Sequence, residues 1–541
     1  MPTPHGAADE AELEWSPLDL ERCSPPGRRR EVFMSQSFAP VLIAGCWRES
    51  RSVGSFHADN PTLGESIPIT YPVSSREEVL EALEAGAEAA EALRTTDPAA
   101  IAEFLERFAA LIEANAGDLV ELAHTESGLP RSPRLKDVEL PRTTGQLRQA
   151  AAAARDGSWR RPIHDAAANI HSVMAPLGGP VVVMGPNNFP FAFNSASGGD
   201  FAAAIAAQNP VIAKANTGHP GTTLRMAELA HEAAQAVGLH PATLQLMYRT
   251  PREVGLELVS HPLVGATGFT GSKSAGLQLK AAADRAGKPI YLEMSSVNPV
   301  VILEGALQER GSALVDEFFG SCTMGAGQFC TNPGFVILPD SDAGRAFVEA
   351  AVSSFKAGTP GVLLGKGGRD GLVEAVAELT AAGATLLCGG AAVEGPAYRF
   401  QNTLLQVTGD AFLANPHALQ TEAFGPVALL VLSRDTAQTV AILRHMEGNL
   451  TGTIYSDTGG ADDAEYDVVE PPLRQKVGRL INDKMPTGVA VSPAMNHGGP
   501  FPATGHAGFT AVGLPTSIVR FTALHCYDNV RPARLPAALR G

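Results

Sequence analysis

From residue 180 onward, short β-branched apolar runs recur at 180–184, 210–213, 243–247, 266–269 and 289–292. The stretches between them, 196–207, 219–237, 252–260 and 274–285, carry apolar residues at helical spacing. Strand and helix alternate about every 30 residues, the pattern of a parallel, doubly wound α/β sheet. Such a sheet offers a ligand crevice at the carboxyl ends of its strands, and a dinucleotide is the leading occupant. Ahead of it, 75–123 reads as helix. Ser75 and Glu78 form a capping-box pair before Val79, Leu80 and Leu83, and Asp97-Pro98 opens a second run through Ile101, Phe104, Leu105 and Phe108.

The alternation resumes after residue 294. Runs at 300–303, 334–338 and 427–432 read as strands, and 343–355 and 372–382 as helices, so 294–480 is expected to form a second α/β lobe. The expected organisation is a cofactor-binding domain from 36–157 and 179–293 and a catalytic domain over 294–480. Residues 158–178 and 496–525, the latter rich in Gly and Pro turns before a strand, are assigned to an oligomerisation arm. Residues 1–35 show no periodicity and are expected to be a tail.

A length of 541 residues suits several lobes of this kind. The formal charge of −16 leaves no basic surplus for nucleic acid or an anionic membrane. No apolar run reaches about 18 residues, the length of a membrane span. The polar, acidic N-terminus lacks a secretory pattern, and six cysteines without a C-x-x-C argue against a disulfide framework or a structural metal. A cytoplasmic, reducing setting is expected, in which a single cysteine can act as a nucleophile.

Three stretches carry candidate chemistry. Gly327-Gln328-Phe329-Cys330-Thr331 puts a cysteine on a glycine turn, where its sulfur is either inert and buried or presented to a crevice. Glu293 ends a strand of the first sheet, where a carboxylate either activates water or serves as a cap. Asn188, in Gly185-Pro186-Asn187-Asn188, follows the first strand, where an amide either forms a turn or donates to a developing oxyanion. A G-x-G-x-x-G fingerprint is absent. The nearest pattern is Gly271-Ser272-Lys273-Ser274-Ala275-Gly276, after the fourth strand, and it is weak alone.

Together these stretches resemble the aldehyde dehydrogenase superfamily. Phe269-Thr270-Gly271-Ser272, Glu293, Gly327-Gln328-Phe329-Cys330 and Glu422-Ala423-Phe424-Gly425-Pro426 stand in that family's order. The resemblance covers roughly residues 36–528. Glu293-Met294-Ser295-Ser296-Val297-Asn298-Pro299 and Asn496-His497-Gly498-Gly499-Pro500 are similar to a branch of α-ketoglutaric semialdehyde and NADP-dependent fatty aldehyde dehydrogenases. The commoner Leu-Gly-Gly-Lys wording after the glutamate is replaced here by Met294-Ser295-Ser296-Val297, a departure that this branch shares.

The resemblance implies a mechanism. Cys330 attacks an aldehyde, Asn188 and the Cys330 N–H hold the oxyanion, and Glu293 activates water to hydrolyse the thioester. It assigns Glu422 to the nicotinamide ribose, Phe424 to the nicotinamide, and Gly271 and Ser272 to the pyrophosphate. Lys214, Thr217 and Arg252 imply a preference for NADP, with NAD possible, because relatives that use NAD place a glutamate where Thr217 stands. Arg148, and less strongly Arg142 and Gln146, fall on the helix expected to line the substrate tunnel. The implied reaction is 2,5-dioxopentanoate to 2-oxoglutarate in a homodimer or homotetramer, without a metal. A medium- or long-chain aliphatic aldehyde dehydrogenase and a non-catalytic relative are the alternatives.

Overall fold

The computed structural model describes residues 38–540. The expected alternation is present with boundaries within a few residues. The first sheet runs Ile290–Glu293, Ala266–Thr270, Val181–Met184, Val211–Lys214, Leu244–Met247, Val41–Ile43, Cys46–Arg48. Its first five strands are parallel and its last two antiparallel. Chain order reverses at Val181–Met184, which lies between the Ala266–Thr270 and Val211–Lys214 strands, so the crevice opens there. These strands are apolar on both faces because helices cover both sides. The two short strands before residue 50 went unread, since three residues are too few to show a period.

Helices start where the sequence supplies caps. Ser75 accepts from the Glu78 N–H at the head of Arg76–Thr95, and Asp97 accepts from Ala99 N–H ahead of Pro98–Ala114. The second sheet orders Thr385–Cys388, Thr403–Thr408, Val427–Ser433, Phe335–Pro339, Pro299–Ile302, Asn449–Tyr455, Val477–Asn482. It is parallel except for its first strand.

The segment assigned to the arm divides in two. Thr522–Asp528 pairs antiparallel with Ile170–Pro176, which pairs with Ile163–Asp165. Residues 496–512 lie elsewhere: Asn496 donates to the Gly478 carbonyl of the second sheet (3.1 Å), and residues 503–505 pair with the first. Met294 N–H donates to the Ala503 carbonyl (2.8 Å) and Gly505 N–H to that of Leu292 (3.2 Å). That pairing covers the open edge of the Ile290–Glu293 strand, which would otherwise present unsatisfied backbone groups.

Candidate active site

Cys330 is aimed by its own turn. The helix Glu304–Thr323 ends in Met324–Gly327, where Gly325, Ala326 and Gly327 all have positive φ. A Cβ on Gly327 would stand 2.2 Å from the Gly425 backbone, so only glycine fits the bend. Gln328 then anchors the loop by accepting from Leu364 N–H (2.9 Å). Asn298 holds it from beneath. Its amide donates to the carbonyls of Cys330 and Asn332, both at 2.9 Å, from a left-handed backbone (φ 50°) that asparagine tolerates. The Glu293–Pro299 link thus braces the cysteine it faces.

Cys330 Sγ lies 3.4 Å from His497 Nε2, and the same nitrogen lies 3.0 Å from Glu293 Oε1. Glu293 and His497 are buried, while Cys330 keeps partial access to solvent. Burial, then the neighbouring Glu293, push the Cys330 thiol well above its usual range, with Arg142 and Arg479 acting against them. The resting group is therefore a thiol, and to act as a nucleophile it would have to hand its proton to a neighbour. One imidazole nitrogen within reach of both sulfur and carboxylate offers a route for that proton. By contrast, Cys322 is wholly buried and pushed up to about 12 by burial.

Asn188 is buried, and its amide donates to the Gln328 carbonyl (2.9 Å), two residues before Cys330. An amide nitrogen carries two hydrogens, so one remains for an oxyanion beside Cys330. Phe189, Phe193, Phe329 and Phe509 form an aromatic wall around this centre.

The helix Leu140–Asp156 places the three sequence-derived substrate residues very differently. Arg148 is turned to solvent and forms a bidentate pair with Glu113 (2.6 and 2.8 Å), so it does not enter the tunnel. Six residues of helix rotate a side chain by about 120° from its starting face. Arg142, six residues earlier, faces the aromatic wall, with its guanidinium 5.6 Å from the Phe189 ring and 5.1 Å from that of Phe193. Its Nε and Nη2 are buried without a hydrogen-bond partner. Burial weighs against its charge, and Glu139, Cys330 and Glu293 act in its favour. Gln146 shares that face but spends its amide on the Ala192 carbonyl (3.2 Å).

A cleft of about 710 Å³ separates the lobes beside the centre, lined in part by Lys273, Ser274, Leu277, Ser295 and Glu422. Its donors and acceptors suit a dinucleotide. The helix Lys273–Arg285 begins here behind its Ser272 cap, offering backbone N–H groups to a phosphate. Gly271 brings the chain close to the Phe269 ring, 2.8 Å from where a Cβ would stand. The neighbouring helix Pro220–Ala236 is not open in this way, because Glu126 accepts from Gly221 and Thr222 N–H at its start. Glu422 accepts from Ser296 N–H (3.2 Å), its carboxyl raised by burial, and Phe424 stands beside Glu422, Phe329 and Gly327. Lys214 ends a strand paired with Leu244–Met247. Thr217 and Arg252 follow those two strands and are exposed. Burial, then Arg249, lower Lys214 to about 8.

Sequence reasoning missed His497 as a site residue. Its motif was quoted but given to the arm, and the one available signal was a lone imidazole in a glycine-rich turn. Arg134 was also missed. It pairs with Glu139, donates to the Asn188 carbonyl (2.9 Å) and stacks 4.4 Å over Phe189, fixing the loop that carries the amide.

The chain is 38% identical to alpha-ketoglutaric semialdehyde dehydrogenase 2 of Azospirillum brasilense, over 92% of this chain and 96% of that one. It is 35% identical to alpha-ketoglutaric semialdehyde dehydrogenase of Acinetobacter baylyi, over 94% and 97%. Among solved structures, aldehyde dehydrogenase C of Pseudomonas syringae, complexed with NAD+ and octanal, superposes with a TM-score of 0.78 at 20% identity. That match covers 94% of this chain and 100% of the other. A 3,6-anhydro-L-galactose dehydrogenase in complex with NAP gives 0.77 at 21%, over 90% and 99%. With residues 47–465 matching the model of the aldehyde dehydrogenase family, the chain belongs to that family and is an aldehyde dehydrogenase.

Proposed function

We infer that the enzyme oxidises 2,5-dioxopentanoate to 2-oxoglutarate and prefers NADP. The carrying observation is the Arg142 guanidinium, buried beside Cys330 with two nitrogens unpartnered. A buried cation with free donors suits a substrate whose far end is a carboxylate. The names of the two curated relatives point the same way.

In this reading Cys330 passes its proton to the His497–Glu293 pair and adds to the aldehyde carbon. Asn188 and the Cys330 N–H hold the oxygen as its charge grows. The nicotinamide supplies the acceptor for the two electrons that turn thiohemiacetal into thioester. Glu422, Gly271 and Ser272 would hold the coenzyme, and Phe424 would pack beside its nicotinamide. Once the pair has released the first proton to solvent, Glu293 takes a proton from water as that water attacks the thioester, and Cys330 leaves as thiolate. Thr217, with no carboxylate to repel a 2′-phosphate, joins Lys214 and Arg252 in favouring NADP. A homo-oligomer in the cytoplasm fits the exposed Ile163 and Leu524 of the arm, and among the described residues no helix is long and apolar enough to cross a membrane.

The aromatic wall of Phe189, Phe193, Phe329 and Phe509 favours a second reading, a medium- or long-chain aliphatic aldehyde. Arg142→Met decides between them. It should raise KM for 2,5-dioxopentanoate by tens-fold, the equivalent of about 1.5–3 kcal/mol for a charged hydrogen bond, and leave hexanal unharmed or improved. Steady-state kinetics showing equal losses on both substrates, or a wild-type preference for hexanal, would favour the aliphatic reading.

A further inference from the structure

The groups that do the chemistry also form a ligand set. One oxygen of Glu293, Cys330 Sγ and His497 Nε2 all lie within 4.8 Å of one another. Sulfur to nitrogen is 3.4 Å, and nitrogen to oxygen is 3.0 Å. Ligand atoms around a tetrahedral zinc, at bond lengths of ~2.0–2.3 Å, stand ~3.4–3.6 Å apart. The sulfur–nitrogen side already has this spacing, and opening the nitrogen–oxygen side by a few tenths of an ångström would bring it there.

The three side chains are already oriented. The His497 backbone N–H donates to Thr510 Oγ1 (2.9 Å), and the ring lies against Phe193. Glu293 Oε2 is buried with no hydrogen-bond partner, an acceptor left free in the same space. Cys330 is held by Asn298 through its carbonyl. Three protein ligands and one solvent-accessible direction match an open zinc site, in which a water takes the fourth position.

We propose that Glu293, Cys330 and His497 form a reversible Zn²⁺ site, and that its occupancy switches the dehydrogenase off. A thiolate, an imidazole and a carboxylate select Zn²⁺ or Co²⁺ over Mg²⁺ and Ca²⁺. Binding expels the thiol proton to solvent. Thiolate and carboxylate then balance the charge of the ion. The bound metal occupies the nucleophile and the water-activating base together, so no turnover proceeds. Arg142 and Arg479 lie within electrostatic reach of the sulfur. They oppose a cation there and keep the site exchangeable rather than structural.

The inhibition rests on Cys330 being the nucleophile, whereas metal binding does not, so the two are read separately. The full chain is stripped with EDTA, desalted without oxygen and titrated with Co²⁺. A near-ultraviolet thiolate-to-cobalt band should appear, persist in Cys322→Ala and vanish in Cys330→Ser. His497→Gln and, as a second probe, His497→Asn should weaken Co²⁺ binding tenfold or more, with folding checked by circular dichroism. Zn²⁺ should displace the cobalt band and abolish hexanal oxidation. EDTA should restore activity, and Mg²⁺ should do neither. No band in the wild type, or one unchanged in Cys330→Ser or in a folded His497 variant, overturns the site. A band that forms while Zn²⁺ leaves turnover intact overturns the switch.

Discussion

Two regions of one sheet, its Ile290–Glu293 edge and its central Val211–Lys214 strand, are built on opposite plans. At the Ile290–Glu293 end, Glu293 and His497 are buried, and Cys330 is fixed by a glycine turn and the Asn298 amide. Beside the central Val211–Lys214 strand, Thr217 and Arg252 are exposed on the turns that follow neighbouring strands. The first end is preorganised before any ligand arrives, as bond-making chemistry requires. The second is open to solvent, as the coenzyme-discriminating role proposed for it requires. Substitutions should therefore abolish turnover at one end and rescale coenzyme choice at the other.

The largest effect belongs to the nucleophile. Cys330→Ala should lower kcat by roughly 10⁴-fold or more while coenzyme binding stays close to normal. Cys322→Ala, eight positions earlier, should keep most of the activity, since Cys322 is sealed in the core. A reversal between these two variants in a standard turnover assay would break the contrast at its stronger end.

Next comes the base. Glu293→Gln should still reduce about one equivalent of coenzyme quickly and then stall, because water is activated only after the thioester exists. Rapid-quench kinetics should show that burst ahead of a steady state slowed by about 10²–10⁴-fold. Unchanged turnover would remove Glu293 from the role.

The contrast also explains what the sequence could reveal. Parallel strands buried on both faces wrote themselves as short apolar runs, and Ser75 and Asp97 marked helix starts by their cap chemistry. Cys330 and Glu293 stood out because each sits in a distinctive local string. Arg148 ranked above Arg142 in the sequence, the reverse of the structure, because only helical phase sends Arg142 inward and Arg148 to Glu113. His497 could not be placed at all. It reaches Glu293 across 204 positions, in a segment that follows the last stretch matched by the family model, and backbone pairing with a distant strand edge brings it there.

At the discriminating end, Thr217→Glu should weaken NADP by roughly 1–3 kcal/mol, the scale of a close like-charge pair in partial solvent. NAD lacks the 2′-phosphate and should change far less. A wild-type kcat/KM higher with NAD than with NADP would remove the basis for this assignment.

The smallest effect is a matter of pH. Burial and Arg249 lower Lys214 to about 8 in the free protein. Below that pH the ammonium is charged and can pair with a 2′-phosphate; above it, the side chain loses its proton and the attraction goes. A phosphate bound beside it raises its pKa in the complex, so the loss appears in kcat/KM, which reports the free enzyme. One unit above the midpoint only about a tenth of a group stays protonated, so kcat/KM for NADP should fall by about fivefold or more between pH 7.5 and 9. The ratio of NADP to NAD efficiency isolates this change from titrations at the catalytic end, since both coenzymes share Cys330 and Glu293. Lys214→Met should flatten the ratio across that range. A ratio that is already flat in the wild type would show that Lys214 takes no part in reading the phosphate, and would leave Thr217 and Arg252 to do it.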